Sequence, residues 1–278
     1  MKKAFKKSII LTGGSGLIGS YFKKKYGRKY KIINYPNRIE NISKFENWVS
    51  KKKFNIFIHF AAITRNESEK FKKHLNLINV ISTKRIIEAL NKINISDFNY
   101  FLFISSSHVY GFSRNKFNEK SIRFPQNPYG KSKKKVEDFI IANRRKFNFK
   151  IGIARIFNTT GYKQKKGNFV PDMIEKMKKN NRITNVNQFR DFIHIDDVCK
   201  SIELIIKKQF IKPINIASGK KINLINVCKI INKLYVKKKN LFFEGKKGQD
   251  LIGDNSLLKK IGIKKFKNIK LILKSYKK

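Results

Sequence analysis

Residues 8–26, "SIILTGGSGLIGSYFKKKY", restrict the fold more than any other stretch of this chain. A short apolar run enters a turn in which Gly13, Gly16 and Gly19 recur at every third position, and an amphipathic segment follows at once. Such an order describes a strand, a tight turn and a helix. Glycines there let the backbone approach a pyrophosphate closely, and the helix N-terminus stabilises its charge. The loop therefore predicts a dinucleotide site with Gly13, Ser15, Gly16, Leu17, Ile18 and Gly19 as its contacts.

The same alternation continues for about 160 residues. Strands are expected at "SIILTGG", "YKIIN", "FNIFIHFAA", "YFLFISSS" and "FKIGIARIF", with helices at "LIGSYFKKKY", "ISKFENWVSKK", "LINVISTKRIIEALNKI" and "SKKKVEDFIIANRRKF". Buried apolar strands separated by helices predict an α/β fold, a doubly wound parallel sheet covered on both faces. Beyond Gly161 the pattern loosens into "VPDMIEKMKKN", "FRDFIHIDDVCKSIELIIKK", "PINIAS" and "NLINVCKIINKLY". We expect a dinucleotide-binding domain over 1–160 and a smaller C-terminal lobe over 161–278, with segments such as 189–205 returning to the first domain.

The net charge of +47 raises nucleic acid as a partner. A binding patch concentrates its basic residues, whereas here lysine is spread over nearly every segment. Lysine, isoleucine, asparagine and phenylalanine are abundant together, as an AT-rich coding sequence produces. Nucleic acid is therefore not the expected partner, although a Rossmann protein repurposed to bind RNA or another polyanion is the alternative. The run Ile9-Ile10-Leu11 is too short for a signal peptide, and no stretch approaches the about 20 apolar residues of a membrane span. Cys199 and Cys228 fit neither a metal spacing nor a disulfide framework. A cytoplasmic protein without a metal is expected.

Two further motifs carry chemistry. Tyr129 and Lys133, in "NPYGKSK", stand four residues apart on one helix face, and a nearby ammonium favours a phenolate. In a chain this rich in lysine the pair also arises by chance. "SSSHVYG", residues 105–111, ends a strand, where a hydroxyl reaches ligands in an open parallel sheet. A hydrolase would instead need a nucleophile elbow, which is missing.

In this order the motifs resemble the extended branch of the short-chain dehydrogenase/reductase superfamily, the nucleotide-sugar epimerases, dehydratases and reductases. "TGGSGLIG" matches its cofactor loop and "HFAA" its adenosine-side strand, while "NVIST" (from Asn79) matches its N-V-x-G-T helix. "PQNPYGKSK", "ARIFNTTG", "RDFIHIDDV" and "NIASGKKINL" match the later motifs in sequence. The resemblance implies that Tyr129 exchanges the proton of the sugar 4-hydroxyl. Lys133 then lowers the tyrosine pKa and holds the nicotinamide ribose, and Ser106 bonds the reacting oxygen. It adds Phe60, Ala61, Ala62 and Asn79 to the cofactor contacts. Ser107, His108, Asn158 and Arg190 join the substrate contacts, the last two near the diphosphate. Arg155 is more often structural in its motif, and His194, Asp196 and Asp197 read as a turn and helix start rather than a metal cluster.

The departures are informative. Ser107 and His108 replace the Asp and Glu of the dehydratases, which disfavours water elimination. Where NAD-specific relatives carry an acid after the second strand, this chain has Asn34 and Tyr35, then Arg38. The cofactor is NAD or NADP, leaning to NADP. The resemblance thus implies a nucleotide-sugar 4-epimerase or 4-keto-sugar reductase, acting as a homodimer.

Overall fold

A computed structural model describes residues 6–64, 69–93, 95, 97–113, 115–161, 164, 166–246 and 248–277. The first part of the chain runs β1 (Ser8–Thr12), α1 (Leu17–Tyr26), β2 (Lys31–Asn34), α2 (Ile42–Ser50) and β3 (Ile56–His59). It continues with α3 (Glu69–Asn76), α4 (Thr83–Lys92), β4 (Tyr100–Ser106), α5 (Pro128–Asn143) and β5 (Lys150–Ile156). Then follow β6 (Asn158–Thr160), α6 (Phe169–Lys179), β7 (Arg182–Thr184), β8 (Phe189–Arg190), β9 (Phe192–His194), α7 (Ile195–Lys208) and β10 (Pro213–Ile216). The last elements are β11 (Ile222–Asn223), α8 (Leu224–Ile231), β12 (Phe242–Glu244), α9 (Ser256–Ile261) and α10 (Ile269–Lys274).

Six strands form a parallel central sheet in the order β10-β5-β4-β3-β1-β2, the doubly wound α/β arrangement predicted. Every residue of β3 and β4 is buried, as strands covered on both faces require. On one face Phe57 and Phe101 stack at 5.3 Å and 5°, between Phe45 of α2 and Phe149 at the entry to β5. Helix starts follow local chemistry. Asn41 caps α2 by accepting from Lys44 N, and Asn127 caps α5 by accepting from Gly130 N, with Pro128 in its first turn.

Two of the departures from the expectations concern the elements around the sheet. The helix expected over 77–93 is continuous only from Thr83, because Leu77–Ser82 is π-helical and joins α3 to α4. Its wider turn opens carbonyls five residues back, and these accept from Ser82 Oγ (2.9 Å to Leu77 O) and Thr83 Oγ1 (3.4 Å to Ile78 O). The second is β10, which lies past the alternating region yet borders β5. Its partner strand is distant in sequence, so no local pattern announces the pairing.

By internal contacts the chain forms two compact units. One comprises Met1–Tyr110, Arg123–Arg155 and Ile202–Ile214, and the other Gly111–Ile122, Ile156–Ser201 and Asn215–Lys278. The second unit has its own core, in which Val170, Met173 and Met177 of α6 meet Leu224, Val227, Cys228 and Ile231 of α8 and Ile272 and Leu273 of α10. Within it the Asp191 carboxylate accepts from Ser218 N and Oγ, Gly219 N and Gly253 N, tying three loops together. Truncating Phe101 to Ala removes the centre of the stacked aromatic layer. Urea unfolding should show a loss of about 3–5 kcal/mol, as for large aromatic-to-alanine changes in packed cores.

Candidate active site

The sheet order reverses at β1, with β2 on one side and β3 on the other. Ligands of open α/β sheets bind beyond the carboxyl ends of the strands at such a point. Here the chain leaving β1 turns through Gly13 at φ +68°, and a Cβ on Gly13 would lie 2.5 Å from Ala61 N. A Cβ on Gly19 would lie 2.5 Å from Gly13 O. Both glycines are thus required for the close meeting of β1, α1 and the β3 exit. Gly16 caps α1, its N–H bonded to Gly13 O at 3.0 Å, and Ser15 and Gly16 are exposed at the turn. Leu17 and Ile18 open the helix, half-buried, and Phe60, Ala61 and Ala62 follow β3 opposite them, also half-buried. This cradle, at an uncapped helix N-terminus, fits the pyrophosphate of a dinucleotide.

Asn34, at the end of β2, accepts from Gly14 N at 3.1 Å. A neutral amide therefore stands where an acid would oppose a phosphorylated ribose, and Arg38 is exposed four residues on. Asn79 is 1% exposed and clamps the β3 exit to α5, because its Oδ1 accepts from Ile63 N and its Nδ2 donates to Ile63 O and Ser132 Oγ. His59 is a satisfied core histidine between Thr12 and Thr83 hydroxyls. Burial first, and then the Lys133 charge, push its pKa down to about 3.

Three successive residues of β4 meet one face of α5. Ile104 O accepts from Lys133 Nζ at 2.7 Å, and the Ser105 hydroxyl donates to Glu137 Oε1 at 2.5 Å. Ser106 stands beside Tyr129, near enough for its hydroxyl to lower the phenol's pKa. Tyr129, Lys133 and Glu137 recur every fourth residue, so a single helix face carries all three. The structure thus brings Ser106, Tyr129 and Lys133 together. Burial pushes the Tyr129 phenol up to about 12, opposed by the Ser106 hydroxyl, and pushes Lys133 down to about 7, opposed by the Glu137 charge. The Lys133 ammonium lies 4.7 Å from the Phe103 ring centre and 5.9 Å from that of Tyr129.

Beneath them lies a buried ion pair that sequence reasoning did not assemble. Arg155 of β5 is 2% exposed and Glu137 fully buried, with Arg155 Nη2 2.7 Å from Glu137 Oε2 and Nε 3.1 Å from both oxygens. Arg155 Nη1 also donates to Tyr110 Oη at 2.7 Å, and Arg123 Nη1 approaches Glu137 Oε2 at 3.1 Å. The available signal was Glu137's place one turn after Lys133.

Ser107 is buried, and His108 is half-buried with its ring edge-on to Tyr129, centroids 5.9 Å apart. His108 N donates to Ser106 Oγ, and its Nδ1 faces Asn127 Nδ2 at 2.9 Å.

In the second unit Asn158 Nδ2 donates to Asp191 O at 3.0 Å. Arg190 donates to Phe189 O, Gln249 O and Gln188 Oε1 and lies over the Phe112 ring. Asp196 and Asp197 occupy the first turn of α7, paired with Lys200, and Asp196 also with Lys267. His194 Nδ1 accepts from Asp196 N. Among the described residues no group of three or more His, Cys, Asp or Glu is arranged to hold a metal, and no helix is long and apolar enough to cross a membrane.

The buried Lys133 makes a testable signature. Between pH about 7 and the ordinary 10.5, the unfolded chain binds a proton at this lysine that the folded chain does not. Its contribution to stability therefore rises with pH across that window. Thermal melts of wild type and Lys133→Met should differ in slope there, the variant gaining less between pH 7 and 10. Equal slopes would contradict the burial of the charge.

Comparison with known proteins bears on the family. A dTDP-D-glucose 4,6-dehydratase of Dictyostelium discoideum is 28% identical over 82% of this chain, which spans 62% of that enzyme's length. A GDP-6-deoxy-D-talose 4-dehydrogenase of Aggregatibacter actinomycetemcomitans is 26% identical over 90% of this chain and 89% of its own. The fold matches that of RMD from Pseudomonas aeruginosa, solved with NADPH, with a TM-score of 0.83, 22% identity and 97% and 98% of the two chains covered. Residues 9–217, from the glycine cradle through the Tyr129 helix to β10, match the model of the NAD dependent epimerase/dehydratase family, and to that family this chain belongs.

Proposed function

We propose that this chain is an NADP-dependent oxidoreductase acting at C4 of a nucleotide-activated sugar, as a 4-keto-sugar reductase. The observation that carries this is the grouping of Ser106, Tyr129 and Lys133 at the carboxyl end of β4, two strands from the glycine cradle. Asn34 in place of an acid and the exposed Arg38 favour NADP. The relative that acts as a 4-dehydrogenase on a 6-deoxy sugar nucleotide suggests the substrate class. We assign the first unit to cofactor and chemistry and the second to the sugar nucleotide, with Asn158 and Arg190 toward its diphosphate, in a homodimeric cytoplasmic enzyme.

The nicotinamide, when bound, supplies the hydride to C4. In reduction the Tyr129 phenol gives its proton to the C4 oxygen, and its high pKa keeps it protonated at neutral pH. Ser106 accepts the His108 N–H, so its own proton points to the tyrosine or the sugar oxygen. Lys133 favours the phenolate left behind only while it carries its proton, a help that fades as the pH rises past about 7, and it takes the nicotinamide ribose. Water elimination needs acid and base groups beside the serine, and Ser107 and His108 offer no carboxylate there.

With GDP-6-deoxy-D-talose and NADP+ the purified protein should reduce the nicotinamide, followed by its absorbance. The rate should climb toward high pH because this direction needs the phenolate. Tyr129→Phe should lower kcat by about 10²–10⁴-fold, the worth of a general acid–base group, with NADPH binding retained. Tightly retained NAD with sugar interconversion and no net nicotinamide reduction would make the chain a 4-epimerase. Salt-sensitive RNA binding with no sugar-nucleotide turnover would replace the enzyme by a polyanion-binding protein, the outcome motivated by the +47 charge.

A further inference from the structure

We propose that Asn127 locks His108 in its Nε2-protonated tautomer, making the ring a fixed hydrogen-bond donor to a sugar oxygen beside Tyr129. The donor role rests on the function proposed above, whereas the tautomer does not. Asn127 is the N-cap of α5, and its side chain receives the Gly130 N–H at 2.7 Å. A backbone N–H only donates, so the atom facing it must be the amide oxygen. The other end of the same amide is then the NH2 group, and it stands 2.9 Å from His108 Nδ1. An NH2 group needs a lone pair there, so Nδ1 carries no proton and the neutral ring holds its proton on Nε2. An imidazolium would set N–H against N–H.

The ring is held from its backbone as well. His108 N donates to Ser106 Oγ at 3.3 Å, and the His108 carbonyl lies where a Cβ on residue 130 would be, so Gly130 lets the turn and the helix meet. The helix cap, the catalytic serine and the histidine are thereby one rigid piece, with the ring 5.9 Å from that of Tyr129. A fixed donor at that position favours substrates offering an oxygen acceptor near C4. It acts by orienting the sugar and discriminating between sugars, not by exchanging a proton.

The test is long-range proton–nitrogen correlation NMR of the full chain carrying 15N-histidine, with His108→Gln identifying the signals among four histidines. Wild type should show an unprotonated Nδ1 and a protonated Nε2. Asn127→Asp keeps an acceptor for Gly130, so α5 stays capped, but presents a second acceptor to Nδ1. It should move the proton to Nδ1 or charge the ring, with unchanged circular dichroism. A protonated Nδ1 in wild type, or no change in Asn127→Asp, overturns the lock. Adding GDP-6-deoxy-D-talose with NADP+ should shift the wild-type Nε2 signal, and His108→Phe should raise KM about tenfold, the worth of one hydrogen bond, more than it lowers kcat. An Nε2 signal indifferent to the sugar nucleotide overturns the donor role. An Nε2 response without nicotinamide reduction instead sinks the proposed reaction and leaves the histidine contact standing.

Discussion

The Glu137 carboxylate is the point on which the first unit is hung. It lies fully out of water, accepting from Arg155, Arg123 and Ser105, and so binds α5 to β4 and β5 at one place. A buried charge deprived of its partner costs about 3–5 kcal/mol, so the pair admits no half-measures. Because Glu137, Lys133 and Tyr129 share a helix face, fixing the first fixes the reach of the other two. Ser105 and Ser106 divide the strand end between them, one serving the ion pair and the other the tyrosine.

The chain's basicity makes the handling of Lys133 notable. Most lysines keep their ammonium groups in water, where they cost nothing to hold. Lys133 is 2% exposed, with a single backbone carbonyl and an aromatic face close to its nitrogen. Placing a cation there opposes folding, so the stability of the fold does not account for this lysine.

Much of this architecture was legible because it is local. The glycine spacing at 13, 16 and 19, the buried run of β4 and the helix "LIGSYFKKKY" are written in neighbouring residues, and each stands where periodicity put it. What escaped depends on pairs far apart in the chain. Arg155 finds Glu137 only once β5 and α5 are packed, and β10 is a sheet strand only because β5 leaves an edge for it. The Asn127–His108 contact likewise needs the helix start laid over the end of β4. The extent of α3 escaped because "EKFKKHLN" offers only Phe71 and Leu75, four residues apart, against a run of polar residues.

The π-helical stretch Leu77–Ser82 has a bearing on how the gene can vary. A single widened turn takes up one residue more than an α-helical turn of the same span, so the winding on either side keeps its phase. Ile86, Ile87 and Leu90 thereby stay in the core, and Thr83 stays at His59. Removing one residue from this stretch would restore regular winding and leave those contacts in register, whereas a deletion within α4 would turn every later residue by about 100°. The π-helical turn is therefore the one place in this helix where a change of length need not be a change of face.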